Sequence, residues 1–205
     1  PSICCSDWCG KVMALRHAVL AALLDGPASG YEVAKWFDAT IAHYWHATAP
    51  QIYQELGRLE REGHVNGVDV PQRDRPNKRV MTITDEGLAE LDRFAAETSR
   101  PAAFKHDLAV KVRTADVVDP EALLADLRHA LDLCRNKLDF YRQNEQLMLK
   151  GRNHDTFVTT ARRVGPYLTL RRGIRYEQEN IDWLVETIDV LSQRAGRRSP
   201  KKALT

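Results

Sequence analysis

Gln51, Gln54, Glu55 and Arg58 fall at helical spacings on the side of one segment opposite Ile52, Leu56 and Leu59, with Tyr53 beside them. A Gln side chain offers a donor and an acceptor that match an adenine edge, Arg offers a fork that matches guanine, and Tyr suits a phosphate or a thymine methyl. Thr48, just ahead of Pro50, stands at the start of the same segment, where a helix N-terminus favours a phosphate. Further along, Arg73, Arg75, Lys78 and Arg79 outnumber the neighbouring acid Asp74, a local excess of positive charge suited to a nucleic-acid backbone or minor groove. Each of these side chains taken singly also reads as an ordinary exposed residue. Their order, a polar helix face followed by a basic loop, is what points to a DNA duplex.

Other reactive residues give weaker patterns. Cys4, Cys5 and Cys9 crowd the first nine residues, but no knuckle follows at zinc-site spacing. His43 and His46 are three apart and would share a helical face as metal ligands, yet no third ligand is specified nearby, so no metal is expected. Trp36, Tyr44 and Trp45 form an aromatic cluster that suits a planar apolar effector, with core or dimer packing as the plainer reading. There is no G-x-S-x-G elbow, phosphate-binding Gly loop or H-E-x-x-H motif, which argues against an enzyme and leaves no cofactor to place.

The elements that must position these residues follow from periodicity and turn chemistry. Leu15, Val19, Ala22 and Leu23 recur at spacings of three and four, predicting a first helix that ends in the turn Asp25 to Gly30. Ser29 caps a second helix that buries Tyr31, Val33 or Ala34, and Phe37. The third helix starts near Thr48 and stops at Gly63. His64 to Val70 and Val80 to Thr84 read as two strands around the loop Pro71 to Lys78, and Asp85-Glu86 opens a closing helix with Leu88, Leu91, Phe94 and Ala95 inward. Three helices, a β-hairpin and a closing helix make a winged helix-turn-helix, so the fold expected is mainly α, with a boundary at Ser99-Arg100-Pro101.

Beyond that boundary the pattern is helical. After a short helix around Phe104 to Arg113, Asp119-Pro120-Glu121 starts a long one carrying Leu124, Leu127, Leu131, Cys134, Leu138, Tyr141, Glu145 and Met148. Ile174, Ile181 and Ile188 recur every seven residues in a second, interleaved with Glu177, Leu184 and Leu191. Two narrow apolar seams predict pairing with a second copy of the chain through Leu124, Leu127, Leu131, Leu138, Tyr141, Ile174, Ile181, Leu184, Ile188 and Leu191, with an intrachain hairpin as the alternative and the two compatible with one another. The domains expected are thus an extension or tag remnant at 1–12, ahead of Met13; the DNA-binding domain at 13–98; a helical dimerisation domain at 99–193; and a disordered basic tail at 194–205.

The chain has 205 residues and a formal charge of +2, and no apolar run is long enough to cross a membrane, so a cytoplasmic protein is expected. Residues 11–98 carry 10 Lys/Arg against 13 Asp/Glu. A net-acidic domain binds DNA only through local positive charge. That balance keeps a second function in view, an effector-sensing or protein-interaction module whose winged helix does not bind DNA.

One ordered set of motifs goes further. Leu15-Arg16-His17-Ala18-Val19-Leu20, Gly26-Pro27-Ala28-Ser29-Gly30-Tyr31-Glu32, Gln51-Ile52-Tyr53-Gln54-Glu55-Leu56, Leu59-Glu60-Arg61-Glu62-Gly63 and Lys78-Arg79-Val80-Met81-Thr82-Ile83-Thr84-Asp85-Glu86-Gly87 resemble the PadR family of bacterial transcriptional regulators. Tyr167 to Ile174 and Trp183-Leu184 resemble the longer C-terminal domain of the branch that includes virulence regulators. The resemblance implies a homodimer on a pseudo-palindromic operator, usually a repressor, released by an effector or stress, and it carries DNA contact onto Gln51, Tyr53, Lys78 and Arg79. Two positions depart from the family pattern: Gly57, where a basic residue is common, and Met81, where tyrosine is usual. Gly57 costs about 1 kcal/mol of helix propensity.

Overall fold

The computed structural model describes residues 15–37, 47–71, 78–98 and 106–198, with side chains to residue 196. Two compact units divide between Arg100 and Pro101. In the first, α1 (described over 15–22) runs into a 3-10 turn at Leu23–Asp25, followed by β1 (Ala28–Ser29), α2 (Gly30–Trp36), α3 (Ala49–Arg61), β2 (Val65–Val70), β3 (Lys78–Ile83) and α4 (Asp85–Ala96). Local capping explains most of these limits. At α2 the Ser29 hydroxyl accepts the Glu32 amide while the Glu32 carboxylate accepts the Ser29 amide, and at α3 the Gln51 carbonyl oxygen accepts the Thr48 amide and hydroxyl. Gly63, at φ 81, takes the left-handed conformation that stops α3.

The sheet is antiparallel, in the order β1-β3-β2. Its third strand was not expected: the segment read as a turn pairs Ala28 with Met81 and Ser29 with Val80. Lys78 and Arg79, assigned to the loop or its edge by sequence, are the first residues of β3, opposite Val70 and Asp69. Beneath the sheet, Val19, Leu20, Leu23, Val33, Phe37, Ile52, Leu56, Leu59, Val65 and Met81 form one core. Tyr31 departs from the expected inward face of α2 and is exposed, and on α4 only Leu91 packs against this core, Leu88 and Phe94 being about 40% exposed (44% and 41%).

In the second unit α5 (Asp107–Arg113) precedes α6 (Pro120–Leu149), capped by Asp119 through the Glu121 amide; α7 (His154–Thr160) and α8 (Gly165–Arg198) follow. The seams expected to meet a second chain meet each other instead. Leu127, Leu131 and Leu138 of α6 share a core with Ile181 and Leu184 of α8, and Ile174, Ile188 and Leu191 pack against it. Leu124 and Tyr141 are buried too. An antiparallel hairpin satisfies both stripes within one protomer, because each helix supplies the other's missing face. Residues 194–198, expected to be disordered, continue α8; the remainder of the tail and the segment 1–12 with Cys4, Cys5 and Cys9 lie outside the described residues.

The start of α4 is tightly fitted. Thr84 caps it by accepting the Gly87 amide and donates to the Gly63 carbonyl at 2.7 Å. A Cβ at Gly87 would collide with the His64 carbonyl oxygen, which is backbone and cannot rotate away. Gly87→Ala is therefore expected to lower unfolding free energy by about 1–3 kcal/mol, measured by urea denaturation.

Candidate nucleic-acid interface

The outward face of α3 and the root of the wing lie on one side of the first unit. Ile52, Leu56 and Leu59 anchor α3 in the core, which turns Gln51, Tyr53 and Gln54 outward. Arg58 is half-exposed, its Nε donating to Glu62 at 2.9 Å. Glu55 departs from the expected face: it is only 6% exposed, and its Oε1 has no hydrogen-bond partner. Its burial takes Glu55 off the outward face of α3.

An open groove of about 820 Å³ separates α2, α3 and β3, lined by Tyr31, Lys35, Tyr53, Gly57, Lys78 and Arg79 among others. The Tyr53 ring lies against Gly30 so closely that a Cβ there would overlap it, so the glycine sets the ring's position. Met81 closes the floor. Gly57 faces open space, where an added Cβ meets nothing.

Two of the three cations along this groove, Lys78 and Arg79, are already paired. Lys78 Nζ donates to Glu32 at 2.8 Å. That bond, with those from Ser29, holds the Glu32 carboxyl down to about 2. Arg79 spans Glu60 and Asp69, and these bonds push its guanidinium still further toward the charged form. A DNA phosphate approaching either residue must compete with a carboxylate, the structural form taken by the domain's acidic balance. Arg73 and Arg75 lie outside the described residues, as do Tyr44, Trp45, His43 and His46. Of the aromatic cluster only Trp36 is described; it packs against the first unit's core, edge-on to Phe37. No group of three or more metal-ligating side chains occurs among the described residues.

Behind the interface sits a charged layer that sequence reasoning missed. His17, 3% exposed, stacks on Phe94 and bonds Glu90 at 3.0 Å, while Arg16 bridges Glu62 and Glu90. Arg93 is the main cause of a lowered Glu90 carboxyl. Its signal, Arg16-His17 inside an apolar helix, was present in the sequence, but the acids it meets come from α3 and α4.

Comparison with known proteins gives this geometry a family. The PadR-like transcriptional regulator family matches residues 19–93, and the family described as virulence activator alpha C-term matches residues 104–192. The probable transcriptional regulator Rv1176c of Mycobacterium tuberculosis is 38% identical over 193 residues, spanning 89% of this chain and 100% of its own. The chain belongs to the PadR-like family of transcriptional regulators. The negative transcriptional regulator PadR of Bacillus subtilis is 25% identical over 87% of the chain and 98% of its own. Its crystal structure in complex with operator DNA superposes with a TM-score of 0.71 at 22% identity, over 87% of this chain and 99% of that one. Its complex with p-coumaric acid gives 0.66 at the same 22% identity, over 88% and 97%. These likenesses establish a winged helix-turn-helix with a helical C-terminal unit. Among the described residues, no helix of this PadR-like regulator is long and apolar enough to cross a membrane.

Burial raises the Glu55 carboxyl above its usual range, outweighing Arg58 and Arg16. A folded-state value above the unfolded one means that stability is complete at low pH and diminishes as pH rises through the folded value. Glu55→Gln should therefore melt roughly 1–4 °C above the parent at pH 7, with the gap closing near pH 4, in paired thermal melts.

Proposed function

We propose that this PadR-like protein is a cytoplasmic homodimer that reads a pseudo-palindromic operator through α3 and the wing, represses from it, and is released by a small effector. It acts by binding, without catalysis. The observation that carries the reading is the groove in which outward Tyr53 of α3 stands beside Lys78 and Arg79 of β3, on a unit matched to the family. Gln51, Gln54 and Arg58 would address base edges, Tyr53 and the Thr48 end of the helix the phosphates, and Lys78, Arg79, Arg73 and Arg75 the backbone. The p-coumaric acid complex of Bacillus subtilis PadR supports an effector of small aromatic type. Trp36, with Tyr44 and Trp45, is the proposed place for it.

The seam proposed for the second copy moves to the outer face of α6. Leu133, Phe140 and Leu147 are 50%, 43% and 71% exposed and recur every seven residues, the spacing of a coiled-coil stripe. Substituting Leu133 and Phe140 with Glu should yield a folded monomer by sedimentation.

The ion-paired Lys78 and Arg79 favour one rival, a winged helix that no longer binds DNA. Mobility shifts with the chain's own upstream region separate the two: sequence-selective binding, with log affinity falling against log salt at a slope near about −7 for roughly eight neutralised phosphates, supports the regulator. Equal binding to any duplex, or a flat salt response, supports the rival. Gly57→Lys adds a cation to open space and removes a helix penalty, so it should raise operator affinity several-fold and stability by about 0.5–1 kcal/mol.

A further inference from the structure

A long stretch of the second unit is almost free of acids. Between Lys150 and Tyr176 the sequence has seven Lys/Arg and one acid, Asp155, a net of +6 in a chain whose total is +2. Lys150 and Arg152 follow α6, Arg162 and Arg163 precede α8, and Arg171, Arg172 and Arg175 occupy its first turns.

Packing gathers these segments into one corner. Phe157 of α7 and Tyr167 of α8, both buried, lie with ring centroids 4.7 Å apart. Arg152 stacks on the Phe157 ring at 4.7 Å and donates to the Leu149 carbonyl. Tyr167 bonds His154 at 3.0 Å, and Arg171 lies 2.8 Å from the same imidazole, with Glu145 at 3.8 Å. The corner is thus held by rings and backbone carbonyls more than by carboxylates. Lys150, Arg162, Arg172 and Arg175 are exposed and make no ion pair with an acid among the described residues; Arg172 instead covers the Tyr176 ring. At the start of β3 the reverse holds, since Lys78 and Arg79 are each tied to carboxylates.

Cations kept free of acids release condensed counterions when they meet a polyanion, whereas paired ones must first give up a partner. We propose that the α6–α7–α8 corner is a second duplex-binding surface, contacting phosphates without regard to sequence and adding affinity to whatever site the first unit selects. The proposal rests on the operator-binding function above, and the duplex is the polyanion that function supplies.

The test uses the 205-residue chain as a dimer, with R162Q, R172Q and R175Q combined. Measured from 50 to 300 mM salt on the operator and on an unrelated duplex, the variant should bind both about 10- to 100-fold more weakly near 150 mM salt, with a log–log slope shallower by about 2–5 and an unchanged specificity ratio. The triple lysine variant, R162K, R172K and R175K, should restore the slope, which a purely structural role would not. An unchanged slope in the glutamine variant, or failure of the lysines to restore it, overturns the corner as a DNA surface while leaving operator recognition standing. Loss of sequence selectivity in the unsubstituted protein would instead overturn the function on which the proposal rests.

Discussion

Strand β3 is paired on both edges, and that constraint orders the first unit. Ser29 and Ala28 hold one side and Val65–Val70 the other, so a slip in register would break two ladders and turn Met81 out of the core. Because Ser29 is also the N-cap of α2, the same strand fixes where α2 begins. Lys78 reaches Glu32 on that helix, and Arg79 reaches Glu60 on α3. The wing root, the second helix and the outward-facing helix are thereby referred to a common frame.

The frame also carries a tension. Carboxylates that steady Lys78 and Arg79 in the free protein compete with the phosphates those residues would meet. Exposed ion pairs of this kind contribute only about 0–1 kcal/mol each, so exchanging them is cheap relative to the counterion release that a duplex provides. Their effect is on orientation: the side chains are already extended across the groove, at the cost of part of their attraction for DNA. Gly57 and the buried Glu55 remove further polar contact from α3, leaving Gln51, Tyr53 and Gln54 among its outward polar groups.

The second unit settles a different problem. Its two long helices bury their stripes on one another, and the polar breaks in those stripes are accommodated there. Glu177, 2% exposed, lies in the α6–α8 seam 3.9 Å from the Lys137 ammonium. Burial and this acid push the neighbouring Cys134 thiol up to about 11, which makes it a packing residue with little thiolate. A buried acid in an apolar seam tolerates few alternative alignments, since sliding the helices would strand it without its cation.

What the sequence determined by itself was local. Ser29, Thr84 and Asp119 start helices because their side chains cap amides within a few residues, and Thr48 because Gln51 three residues on reaches back to its amide; apolar periodicity marks which face of α3, α6 and α8 is buried, and the ordered motifs were enough to indicate the family. Tertiary structure decided what each buried face meets. Periodicity reports that Leu127 and Ile181 need apolar partners but not whether those lie in the same chain, and it took the hairpin to show that they do, leaving Leu133, Phe140 and Leu147 as the exposed stripe of α6. Likewise β1, only Ala28–Ser29, is too short to show alternation, and exists because β3 offers a free edge. The helix face at Glu55 misled for the same reason: a charged residue reads as solvent-facing until the surrounding helices are in place. Even the positive charge, legible residue by residue, acquired its meaning from packing, because only the fold pairs Lys78 and Arg79 with distant acids and leaves Lys150, Arg162, Arg172 and Arg175 without an ion pair among the described residues.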